Sequence, residues 1–165
     1  MTRRPFLLLV VSLLSVAFLC LSPGCGYPKH LDPLLLTFPT KELADLSARA
    51  RAKDIGGLIY TVADTHSMEP LLMGGDLIVV ETRVTFEEVK PGQVVNYHAD
   101  WAPPPELTVT HRVLERDSDG LLMAGDNVRP DIDPRTGQNR HSEARWRVTK
   151  KNYVGVVDTI YRVKP

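Results

Sequence analysis

From Leu58 to the C-terminus the sequence is a succession of short β-like runs with no helical period between them, and this constrains the fold more than any other feature. The runs fall at 58–62, 76–82, 93–99, 107–116 and 121–125, with two or three further pieces between Trp146 and Val163. Asp117-Ser118-Asp119-Gly120 supplies a hairpin turn between two of them. Such a series predicts a mainly β domain, a small antiparallel and partly closed β-barrel. With 43% hydrophobic and 24% charged residues the bulk has the composition of an ordinary globular domain.

Upstream the pattern changes. The segment from Tyr27 to Pro39 carries several prolines and reads as irregular. Thr40 is placed to cap a helix running to about Lys53, with Leu43, Leu46 and Ala50 on one stripe and an Ala/Arg-rich face in solvent. This helix reads as a spacer or a packing element. No internal repeat or low-complexity tract interrupts the chain.

At the N-terminus, Arg3 and Arg4 precede an uncharged run from Phe6 to Leu21, suited to a signal-peptide core or a short membrane anchor. Two arginines ahead of the run favour keeping the N-terminus inside, so the domain is expected to be membrane-associated and to work on the extracytoplasmic side. The only cysteines are Cys20 and Cys25, so the downstream domain has no disulfide. Ser22-Pro23-Gly24-Cys25 resembles a bacterial lipoprotein cleavage box, making Cys25 the candidate lipidation site; a retained anchor is the alternative. The expected division is 1–25 signal peptide, lipoprotein signal or anchor, 26–56 spacer with a short helix, and 57–165 the main domain. Twenty basic side chains balance twenty acidic ones, and two of the basic ones are Arg3 and Arg4. No basic excess points to nucleic acid as a partner.

Two sites carry chemistry. Ser67 lies between the run ending at Val62 and a Pro/Gly-bearing turn that leads into the run from Asp76, where a hydroxyl can be presented at a sheet edge. Serine is a common turn residue, so position alone does not make it a nucleophile. The second site is Thr108-Val109-Thr110-His111-Arg112-Val113-Leu114, which alternates in the β sense and is followed by Gly125-Asp126-Asn127, Asp131 and Asp133. A serine hydroxyl needs an adjacent base, which a histidine supplies, and a carboxylate fixes that histidine's tautomer.

Ser67-Met68-Glu69-Pro70, then Gly75-Asp76-Leu77-Ile78-Val79-Val80, Pro91-Gly92-Gln93-Val94-Val95, His111-Arg112-Val113-Leu114 and Gly125-Asp126-Asn127 resemble, in order, the sequence boxes of the type I signal peptidases. The resemblance runs from about Leu58 to Val157. Most bacterial members carry a lysine base where this chain has His111, so the likeness is to the Ser-His branch of endoplasmic-reticulum and archaeal enzymes. It implies a barrel of the signal-peptidase catalytic-core type and a serine endopeptidase acting on preproteins or other exported proteins at a membrane.

Carried over by position, Ser67 would be the nucleophile and His111 the general base. The acidic member would be Asp131, with Asp133 and Asp126 as alternatives. Thr65 keeps the hydroxyl that usually helps hold the oxyanion two residues before the serine, and the Ser67 backbone N–H would be the other donor. The chain departs from the pattern at His66, where the family carries glycine, which reduces the expected backbone freedom. The competing class is a noncatalytic lipoprotein or binding module on the same barrel.

Neighbouring residues admit plainer readings. Met68, Leu71, Leu72 and Met73 either pack in the core or approach a bilayer, and Trp101 with Pro103-Pro104-Pro105 forms either a rigid loop or an interfacial tip. His66, His98, His111 and His141 show no compact ligand pair, and the Asp131–Gly137 stretch lacks a full calcium-ligand series, so neither metal nor cofactor is expected.

Overall fold

The computed structural model describes residues 31–99, 107–127 and 146–164. Eight strands form one sheet: β1 (Leu34–Phe38), β2 (Leu58–Thr61), β3 (Leu77–Glu81), β4 (Val94–His98), β5 (Thr108–Asp117), β6 (Gly120–Ala124), β7 (Trp146–Val148) and β8 (Tyr153–Val163). Their order is β2-β3-β8-β4-β5-β6-β7, with β1 added beside β8. The sheet is mainly antiparallel and curls into a half-barrel, accompanied among the described residues by one α-helix, α1 (Lys41–Ile55).

Local chemistry explains most of the boundaries. The Thr40 hydroxyl accepts the Leu43 N–H at 3.3 Å, and Gly56 stops α1 in the left-handed region at φ 64°. In the β5–β6 hairpin the Asp117 carboxylate accepts the Asp119 and Gly120 amides, closing the turn expected there. Strand β8 is the organiser. Its first half pairs with β4, its second half with β1 on the same edge, and β3 covers the opposite edge. The register against β3 shifts between Val79 and Val80, leaving Asp158 as the extra residue of a bulge. The shift puts Val157 and Ile160, three apart, into one apolar cluster.

Two expectations are corrected. Leu34–Phe38 is a strand, not part of an irregular segment, and it pairs parallel with β8, the exception in an otherwise antiparallel sheet. On α1, Leu43 and Leu46 are exposed, while Ala44, Ala48, Ala52 and Ile55 are buried against Leu77, Val79 and Tyr161. The alanine face is the packing face because small side chains let the helix axis approach the sheet closely. Each buried methyl-sized group adds only about 0.8 kcal/mol. Bidentate bonds from Arg51 to Asp158, both 2.8 Å, then fasten the helix to the bulge.

Strand β3 is buried on both faces. Leu77 and Val79 meet the helix, whereas Ile78 and Val80 meet Met68 and Leu72 from the Ser67 loop. Met68 and Leu72 are therefore core anchors, Leu71 packs beside them, and Met73 is exposed. The Ser67 loop is thus plugged into the half-barrel.

Candidate active site

Ser67 sits in the loop between β2 and β3. The loop neck is closed by bonds from Val62 N–H to Asp76 O and from Gly75 N–H to Val62 O. Across the sheet, β4 and β5 pair with His111 opposite Val95, and this hairpin aims the imidazole at the loop. His111 Nε2 lies 3.4 Å from Ser67 Oγ, and Thr65 Oγ1 lies 3.4 Å from the same oxygen. The first distance is longer than a formed O–H···N bond but within the looser range common to unliganded Ser-His pairs. The structure thus brings together Ser67, His111 and Thr65. Among the described residues the Ser67 N–H has no acceptor, so its proton is available to an incoming oxyanion.

His111 is buried, with 3% of its surface exposed. Its Nδ1 lies 3.0 Å from the Tyr97 hydroxyl, and its ring stacks on Trp146 with centroids 4.4 Å apart and planes 18° from parallel. A ring wedged in this way cannot swing off the serine without disturbing two aromatic neighbours. Neither neighbour stands out in the sequence. Tyr97 pairs with Val109, two residues from His111, so it is a diagonal cross-strand neighbour that a correct β4–β5 register would reveal.

The Gly125-Asp126-Asn127 stretch acts on the loop residue by residue. A β-carbon on Gly125 would collide with the Ser67 carbonyl oxygen, so the loop can approach only glycine there. Asp126 takes two bonds from Arg112, at 2.8 and 2.6 Å, and Arg112 also reaches the Gly92 carbonyl and Asp32. Asn127 donates its backbone N–H to Ser67 O at 2.9 Å and its side-chain N–H to His66 O at 2.7 Å. Behind these clamps, buried Asp76 accepts two Arg162 nitrogens and the Met73 amide, while Arg162 also holds the Leu71 carbonyl. Hydrogen bonding to Asp76 raises the Arg162 pKa, so the guanidinium stays charged.

His66 adopts φ 53°, the left-handed region where glycine is at ease and other residues bear roughly 1–2 kcal/mol of steric cost. Its ring nitrogen Nδ1 meets the Glu69 carboxylate at 2.7 Å. The departure from glycine at this position therefore coincides with a backbone geometry that glycine would enter freely.

Asp131, Asp133, His141, Trp101 with its prolines, the apolar run and Cys25 lie outside the described residues. No described helix is long and apolar enough to cross a membrane. Among the described residues no three His, Cys, Asp or Glu side chains converge on a possible metal position. Compared with protein-family models, with curated proteins and with solved structures, the chain matches none.

Proposed function

We propose that the chain is a membrane-tethered serine endopeptidase of the signal-peptidase type, working outside the cytoplasm on the half-barrel of a signal-peptidase catalytic core. The observation that carries the reading is the Ser67 Oγ–His111 Nε2 approach of 3.4 Å between residues far apart in sequence, beside the Thr65 hydroxyl. Ser67 Oγ attacks the scissile carbonyl carbon while its proton passes to Nε2. The resulting oxyanion is held by the Ser67 N–H and Thr65 O–H. Nε2 returns the proton to the leaving amine as the C–N bond breaks, leaving an ester on Ser67, and water hydrolyses that ester by the same proton relay. In this reading Asp131 is the acidic member, stabilising the protonated imidazole by its charge, and the substrate is a preprotein or another exported protein cut after small residues.

The test is cleavage of a signal-peptide-bearing preprotein by the purified full chain, beside Ser67→Ala and His111→Ala. The wild type is expected to cut at a single site, and each variant to lose about a thousandfold or more in rate. Equal, background-level cutting by all three across several preproteins would overturn the enzyme reading and leave the noncatalytic module.

A further inference from the structure

We infer that Tyr97 is a positioning residue that fixes the tautomer of His111. If Nε2 is to take the serine proton it must be the unprotonated nitrogen, which places the ring proton on Nδ1. That proton needs an acceptor. The Tyr97 oxygen stands 3.0 Å from Nδ1, and both side chains are buried, with 2% and 3% exposure. The phenol oxygen accepts the Nδ1–H, leaving the Nε2 lone pair aimed at Ser67 Oγ. Tyr97 is rigidly placed for this. It lies in the interior of β4, hydrogen-bonded into β5 and β8, and packs with Val95, Val113 and Met123. Trp146 covers one face of the imidazole, which is 3% exposed, so turning the ring requires displacing the indole. A neutral imidazole free of such a partner prefers its proton on Nε2, which would blind the base. The orienting contact therefore acts before any substrate arrives.

The catalytic meaning of this contact rests on the proposed peptidase activity, but the contact is measurable without it. Long-range nitrogen–proton NMR of the full chain in detergent distinguishes the two tautomers of each histidine, and His111→Gln identifies the His111 signals. The wild type is expected to show His111 protonated on Nδ1, and Tyr97→Phe, which keeps the ring and removes only the hydroxyl, to shift it toward Nε2. In the preprotein assay Tyr97→Phe is expected to lower kcat about tenfold or more with KM unchanged, part of the roughly hundred- to ten-thousandfold that base catalysis supplies. An unchanged tautomer in Tyr97→Phe overturns the inference. Should that variant not fold, the wild-type spectrum decides by itself, since an Nε2-protonated His111 has no need of Tyr97 and overturns it equally. A tautomer shift in a chain that cuts no preprotein sustains the positioning role while removing the peptidase.

Discussion

The two faces of β3 and β8 are held in different ways. On the helix face, cohesion comes from Ala44, Ala48, Ala52 and Ile55 against Leu77, Val79 and Tyr161, and its bidentate arginine–aspartate pair, Arg51–Asp158, is partly open to water through the Arg51 side chain, 40% exposed. The Ser67 face also has apolar plugs in Met68 and Leu72, yet its loop is gripped by directional bonds: the nearly buried Arg162–Asp76 pair holds the Leu71 carbonyl and the Met73 amide, and Asn127, next to the Arg112–Asp126 pair, holds the Ser67 and His66 carbonyls. Hydrophobic contact is non-directional and tolerates sliding. Directional bonds are needed where one oxygen must stay within reach of one nitrogen. The helix face is built for attachment and the serine face for placement.

The sharpest way to break this contrast is Asp76→Ala. It strands Arg162, only 19% exposed, without its carboxylate and frees the Met73 amide. Removing one partner of a buried pair costs on the order of 3–5 kcal/mol, so denaturant unfolding should show a loss of that size. A loss below about 1 kcal/mol would mean that apolar plugging alone holds the loop. Gly125→Ala comes next. Its methyl meets the Ser67 carbonyl oxygen, and since an overfilled site costs about 1–3 kcal/mol, stability should fall moderately while preprotein cleavage falls by about a hundredfold. Stability and cleavage falling in step would make Gly125 a packing residue only. Asn127→Ala is gentler, because the Ser67 bond comes from backbone and survives. Losing the bond to His66 O should cost about 1 kcal/mol, lowering the circular-dichroism melting point by about 2–4 °C and slowing cleavage several-fold.

How much of this was legible beforehand follows the same divide. Strands β2 to β6 show as β-branched runs between turn residues, and Ser67 and His111 show through the boxes around them, because both signals are local. Strand β1 did not show. Leu34-Leu35-Leu36-Thr37-Phe38 has no polar alternation, and its partner, Leu34 against Thr159, is at the far end of the chain. The helix was located but its buried face was reversed, since leucines outrank alanines in any hydrophobic count while close approach to a sheet favours alanine. Tyr97, Trp146 and Arg162 escaped for a further reason. Each gains its role from register or from the β8 path, neither of which is written in its neighbours.

The smallest expected effect probes the helix face, through acid. The Arg51 guanidinium holds the Asp158 carboxyl below its ordinary pKa of 3.8; desolvation opposes this and the Thr159 hydroxyl assists it. A carboxyl whose pKa is lowered on folding adds stability that is fully present above its unfolded value and is lost as pH falls through the folded one. The contribution should therefore be constant near neutrality and fade below about pH 4. Because the pair is solvent-screened, Asp158→Asn should lower Tm by only about 2 °C or less at pH 7, and the wild-type and variant melting curves should converge at strongly acid pH. A gap that persists undiminished to pH 2 would show that Asp158 matters through the bulge it occupies in β8. In that event the helix face too would depend on backbone placement, and the contrast between the two faces would narrow.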